Sequence, residues 1–216
     1  MFSKDRIFRI LRPAIHLLTD SRRENVIRNL SKKLLPEMKF DSSSIVIDLG
    51  ANRGDFSKFA SKTAGLIIAF EPNPVAYRYL HKRLHRQQNV TMVQAAISDK
   101  SGYFDFFLHG DSKLDPLGYS IRSSLKKKES NYVLGDFKVL ALKLSGILDS
   151  LPKIDCLKID IEGAERELWP IIVDFKDKIK FLLVEVHDSL NPGLREEIED
   201  FISSNHLQEA WTADWH

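Results

Sequence analysis

The chain has 216 residues, 29% of them charged and 43% hydrophobic, and a formal net charge of +2. That is enough for one folded domain with its own core, and the charge is too mild to draw the whole molecule to nucleic acid. The single cysteine, Cys156, excludes an internal disulfide, and no Cys/His cluster has zinc spacing, so no metal is assigned. No apolar run approaches the ~18 residues needed to span a membrane. The N-terminus lacks a signal-peptide apolar region, and the expected location is the cytoplasm.

Residues 1–40 read as a helical arm and residues 41–216 as the main domain. Arg6, Arg9, Arg12, Lys32 and Lys33 make the arm basic. Ile7, Ile10, Leu11, Ala14, Leu17 and Leu18 fall near helical spacing, which predicts an amphipathic helix over Lys4–Leu18, broken or kinked at Pro13. A second helix is expected over Arg22–Leu35 and is ended by Pro36. Two readings stand for this arm: it packs on the edge of the main domain and helps cover a cofactor, or its basic face rests on a membrane surface or a partner.

The main domain opens on Ile45-Val46-Ile47-Asp48-Leu49-Gly50-Ala51-Asn52-Arg53-Gly54. A β-branched run ends in an acid, a turn with two glycines follows, and Asp55 onward can start a helix. Strand, glycine turn and helix start make a nucleotide-type cradle. The spacing is not the G-x-G-x-x-G of a dinucleotide loop. A carboxylate at Asp48 would repel a diphosphate and suits a ligand carrying an ammonium and a sulfonium, as S-adenosylmethionine does.

Further apolar runs at Leu66–Phe70, Val90–Ile97, Ile154–Ile161 and Phe181–Val186 alternate with helical patterns at Phe56–Thr63, Pro74–Gln87, Glu165–Phe175 and Gly193–Ser204. This alternation predicts an α/β fold with a doubly wound, mainly parallel sheet. Gly102–Leu108 and Phe137–Leu142 break it and read as an inserted antiparallel pair, extending the sheet or forming a flap. The long loop between them, His109–Asp136, carries the solvated run Lys126–Lys128. Near the end, Trp211 and Trp215 fit one short terminal strand.

Several residues carry chemistry. Glu71 ends the second strand about twenty residues past the glycine turn, where a carboxylate accepts hydrogen bonds from ribose hydroxyls; a turn or cap acid before Pro72 is the alternative. Ala95–Asp99 supplies small residues that leave room for a flat adenine, or that form an ordinary turn. Lys158, Asp160 and Glu162 alternate onto one face at a strand tip, the ligand-binding edge of such sheets. A lysine and two carboxylates are costly there unless paired or used. Glu185 and His187 share a face at the next strand end, and His187 is suited to take a proton near neutral pH.

Val46–Gly54, Phe70-Glu71-Pro72-Asn73, Ala95–Gly102, Ser123-Ser124-Leu125, Leu157-Lys158-Ile159-Asp160-Ile161-Glu162-Gly163-Ala164-Glu165 and Glu185-Val186-His187 together resemble the FkbM family of S-adenosylmethionine-dependent methyltransferases. The resemblance runs from about Ser44 to Asp188, and the Lys-Ile-Asp-Ile-Glu-Gly run is its most distinctive part. It implies a class I methyltransferase (Rossmann-like) fold. Asp48, Gly50, Asn52 and Gly54 would surround the methionine portion of the donor, Glu71 and Asn73 the ribose, and Ala96 and Ile97 the adenine. Asp160, Glu162 and His187 would line the methyl-transfer site, with Lys158 on the same face. Family members methylate hydroxyls of sugars or small natural products, so the expected partner is a glycan or small-molecule acceptor. On that reading His187 or Asp160 is the base and Glu162 orients the acceptor. Lys143–Asp149 departs from the family's Thr-Leu-Asp-like turn.

Two rivals are opposed by the same residues. A nicotinamide-dependent oxidoreductase needs a phosphate-tolerant glycine loop, which Asp48 argues against. A non-catalytic module binding a partner through the basic arm does not require Asp48, Glu71, Asp160 and Glu162 together.

Overall fold

The run Ile45–Leu49 forms strand β2, and four of its five residues are buried. Burial on both faces is what a near-continuous apolar run predicts for a central parallel strand. The computed structural model describes residues 7–11, 39–109, 132–187, 190–205 and 208–209. Around β2 stand β1 (Ile7–Leu11), β3 (Leu66–Phe70), β4 (Val90–Val93), β8 (Ile154–Ile159), β9 (Ile179–Glu185) and β10 (Gln208–Glu209). They form a seven-stranded sheet in the order β10-β1-β9-β8-β2-β3-β4. Every neighbouring pair in it is parallel. The C-terminal ends of β2, β3, β8 and β9 therefore open on one edge, where sheets of this kind bind ligands.

Both faces are covered, as the doubly wound reading requires. Ile47, Leu49, Leu157, Ile159, Leu182 and Val184 point to one face, against helices α3 (Leu144–Ser150), α4 (Glu165–Asp174) and α5 (Leu194–Ser204). Val46, Cys156, Phe181 and Leu183 point to the other, with residues of α1 (Asp55–Ala60) and α2 (Pro74–Leu84). Alternation along each strand produces the two clusters. Full burial of each such side chain is worth about 1.5–3 kcal/mol.

Several expectations need correction. Ile7–Leu11 is a strand between β9 and β10, not part of a helix over Lys4–Leu18. Five residues with Ile, Phe, Ile and Leu satisfy either period, and pairing with β9 decides the outcome. This piece of the arm thus belongs to the main sheet. The run Val90–Ile97 splits at Gln94-Ala95, and Ala96–Ser98 (β5) joins a second sheet. That sheet has the order β5-β7-β6, with β6 at Gly102–His109 and β7 at Tyr132–Lys143. β6 and β7 are antiparallel, as expected, and β5 is parallel to β7. The insertion has its own small apolar core of Ala96, Phe106, Val139 and Ala141. Lys143–Asp149, the stretch that departs from the family's turn, falls largely in helix α3, which buries Leu144 and Leu148. The helix expected over Arg22–Leu35, Ser123–Leu125, Lys126–Lys128, Trp211 and Trp215 lie outside the described residues. Among the described residues no helix is long and apolar enough to cross a membrane.

Candidate active site

β2 and β8 are in register so that Asp48 stands directly opposite Lys158. Asp48 is completely buried, and its Oδ1 lies 3.2 Å from Lys158 Nζ. Its Oδ2 accepts a 2.7 Å hydrogen bond from Ser57 Oγ in α1. Lys158 Nζ also donates to the Gly50 carbonyl at 3.1 Å and sits 3.5 Å from Asp160 Oδ2. Burial by itself would lower the lysine pKa, but the carboxylates of Asp48, Asp160 and Glu185 outweigh it and hold Lys158 above the ordinary lysine range. Asp48 thus anchors a lysine that ties the glycine turn to β8.

The turn itself admits no side chain at Gly50. Its φ is +73°, and a Cβ there would lie 1.8 Å from the Asp160 carbonyl oxygen. This close approach holds the ends of β2 and β8 together. At the end of β3, Glu71 is buried, and both of its oxygens accept backbone hydrogen bonds. Asn52 N donates to Oε2 and Asn73 N to Oε1, each at 2.7 Å. Asn52 reaches it from a left-handed conformation, φ 51°. Burial raises the Glu71 pKa to about 7, against the opposing pull of the two backbone donors and Lys158. Asn73 is the N-cap of α2, its Oδ1 accepting from Val75 N and Ala76 N. Its side chain thus serves the helix while its backbone serves Glu71.

The tips of β8 and β9 form the second half of the site. β8 ends at Ile159, so strand alternation does not carry through to Glu162. Instead Glu162 (φ 58°) and Gly163 (φ 110°) make a left-handed turn. A Cβ on Gly163 would meet Leu190 Cδ1 at 2.4 Å. The turn brings Glu162 Oε2 to 3.3 Å from His187 Nε2, without hydrogen-bond alignment. On the other side of the ring, His187 Nδ1 lies 2.9 Å from Glu165 Oε1. Glu165 is fixed in turn by Gly163 N at 3.0 Å and by Asn191 Nδ2 at 2.6 Å. Burial would lower the His187 pKa, but the neighbouring carboxylates of Glu162 and Glu165 raise it to about 11. Asp160 Oδ1 is enclosed without a hydrogen-bond partner.

The structure thus brings together Asp48, Gly50, Lys158 and Asp160 on one side, and Glu162, His187 and Glu185 close by. Glu71 and Asn52 join through the turn. Gly54 precedes α1, its N–H bonded to the Ala51 carbonyl at 2.8 Å. Ala96 and Ile97 are not at the tip of a main-sheet strand; Ala96 packs in the core of the small sheet and Ile97 in the main core. The segment beside Glu71 is Val93–Ala95, with the Glu71 N–H on the Val93 carbonyl at 3.0 Å. Sequence reasoning missed Ser57, Glu165 and Asn191, all buried. Glu165 had a signal, as the last residue of the Glu-Gly-Ala-Glu run. Asn191 precedes Pro192-Gly193 and reads as a turn residue.

The Methyltransferase FkbM domain model matches residues 48–206. The methyltransferase sdnD of Sordaria araneosa is 30% identical over 187 residues, covering 73% of this chain and 71% of that protein. The hexuronic acid methyltransferase AglP of Haloferax volcanii is 23% identical, covering 76% of this chain and 64% of AglP. The 2-O-methyltransferase NoeI of Sinorhizobium fredii is 27% identical, covering 67% of this chain and 63% of NoeI. The chain thus spans somewhat under two thirds of the length of the last two. The run of strands β4-β3-β2-β8-β9 is the sheet centre of a class I methyltransferase, and the match spans all of it except the first three residues of β2. By fold and by that match, the chain belongs to the FkbM methyltransferase family.

Proposed function

We propose that the chain transfers a methyl group from S-adenosylmethionine to a hydroxyl of a sugar or small natural product. The observation that carries this reading is Glu71. Its carboxylate is fixed by two backbone donors at the tip of β3, beside the glycine turn. Each oxygen keeps a further lone pair for a ribose hydroxyl. The family match supports a methyl donor. The names of AglP and NoeI favour a hydroxyl acceptor on a carbohydrate.

The sulfonium makes the methyl carbon electrophilic without help from the protein. The chain's task is to align an acceptor oxygen with that carbon and exclude water. The acceptor proton falls to Asp160, whose Oδ1 is buried and without a partner. His187, between Glu165 and Glu162, holds the turn and its charge in place. Glu162 orients the acceptor. Incubation of the chain with methyl-labelled S-adenosylmethionine and fractionated glycan and small-molecule extracts tests the reading. Label in a hydroxyl-bearing product is the expected result; no transfer to any fraction, with the donor demonstrably bound, counts against it.

A further inference from the structure

We infer that Asp160, Glu185 and His187 form a binding site for a six-coordinate divalent metal ion of the Mn2+ class. One donor atom from each residue lies within 4.8 Å of the other two, and no other such grouping occurs among the described residues. Asp160 follows β8, while Glu185 ends β9 and His187 follows it, so neighbouring parallel strands supply the donors. Glu185 and His187 are buried and Asp160 is partly buried.

Two further observations point to a ligand. Asp160 Oδ1 is enclosed without a hydrogen-bond partner, and His187 Nε2 makes no aligned hydrogen bond, its nearest polar neighbour being Glu162 Oε2 at 3.3 Å, which a bound ion would replace. His187 is 9% exposed, so water does not supply one readily. The other ring nitrogen, Nδ1, is committed to Glu165, which Asn191 and Gly163 hold in turn. A carboxylate on the far side of an imidazole is the arrangement that orients metal-bound histidines and leaves the opposite nitrogen for the ion.

Charge agrees with this. Asp160, Glu162, Glu165 and Glu185 surround one imidazole, and Lys158 already serves Asp48 and the Gly50 carbonyl. Two carboxylates and one imidazole form a hard, borderline donor set, suited to Mn2+ rather than to thiophilic ions. Three protein donors leave coordination positions open toward the sheet edge for water or acceptor oxygens. With the ion bound, a coordinated acceptor hydroxyl is acidified by the metal, which makes its proton easier for a nearby carboxylate to accept. Asp160→Asn therefore lowers turnover on either account, and the test must read binding.

The test is titration of the full chain with Mn2+ alone, without methyl donor or acceptor, followed by electron paramagnetic resonance of the free ion. One bound ion per chain is expected, with affinity at least tenfold weaker in Asp160→Asn and in Glu185→Gln. Pulsed resonance on the wild-type complex should show coupling to one histidine nitrogen, a readout that needs no variant to fold. Wild-type chain that leaves Mn2+ free at millimolar concentration overturns the site. So does equal binding in both variants, or a bound ion without nitrogen coupling. Because no donor is present, this site and the methyl-transfer reading fail independently.

Discussion

The two halves of the site are built to different rules. At the tips of β2 and β3, the polar groups are tied to the protein's own frame. Asp48 holds Lys158 and Ser57, Lys158 holds the Gly50 carbonyl, and Glu71 gathers the Asn52 and Asn73 backbone. At the tips of β8 and β9, Asp160 Oδ1 is left without a hydrogen bond and His187 Nε2 only faces Glu162 Oε2 at 3.3 Å; in the first half the comparable carboxylate oxygen, Asp48 Oδ1, faces the Lys158 ammonium at 3.2 Å. The first half is a preformed cradle whose geometry is set before any ligand arrives. The second leaves a buried carboxylate oxygen open, which fits the place proposed for substrate chemistry. Substitutions in the first half should act chiefly on stability and donor affinity, and those in the second chiefly on turnover.

The largest effect is expected in turnover at the second half. Asp160→Asn removes the proposed base and should lower the rate about 100- to 10,000-fold. Its stability should fall by no more than about 1 kcal/mol, from loss of the charge 3.5 Å from Lys158 Nζ. A stability loss as large as the catalytic one would erase the distinction between the halves. In the cradle, Asp48→Ala strands Lys158 in a buried site and should cost about 3–5 kcal/mol of unfolding free energy. Denaturant titration reads this directly, and a loss below ~1 kcal/mol would show that Lys158 has other adequate partners.

A smaller loss is expected for Glu165→Gln, which weakens the contacts to His187 and Asn191. About 1–3 kcal/mol is expected, with the His187 ring resonance in nuclear magnetic resonance titrating at lower pH than in the wild type. An unmoved His187 titration would mean that Glu165 does not control the ring. The smallest effect is the pH dependence of donor binding. Glu71 titrates near 7, above its ordinary 4.5. A raised carboxylate pKa means that folding stability from this group is full at low pH and declines as pH rises from 4.5 through 7. Donor binding runs the other way, because ribose hydroxyls donate to the ionised carboxylate. Affinity for S-adenosylhomocysteine should fall about tenfold between pH 8 and pH 6, and Glu71→Gln should flatten that slope.

The cradle was more legible in sequence than the second half, for physical reasons. The run Ile45–Leu49 is apolar throughout and ends in Asp-Leu-Gly, so both the strand and its tip can be read locally. Leu66–Phe70 has the bounds it was given, with Glu71 directly after it. The Asp48–Lys158 pair could not be read, because it is made across a strand pairing. The same non-locality hid Ile7–Leu11, whose strand exists through β9. Ala96 and Ile97 look like the end of the third strand until the Gln94-Ala95 turn sends them to another sheet. Leu144–Ser150 was obscured by Ser145-Gly146 in its first turn, both weak helix formers. Asp160, Glu162 and His187 were identified from residue type and strand position. Their mutual geometry depends on a left-handed turn at Glu162 and on the distant Asn191, neither of which has a periodic signature.

The measurement closest to the central claim is calorimetric titration of S-adenosylhomocysteine into wild-type chain and into Glu71→Gln at pH 8, with NAD as the comparison ligand. The account predicts one site per wild-type chain, binding at least tenfold weaker in the variant, as loss of a charged hydrogen-bond acceptor implies, and no heat with NAD. Absence of S-adenosylhomocysteine binding to the folded wild-type chain, or equal binding in Glu71→Gln, would contradict it.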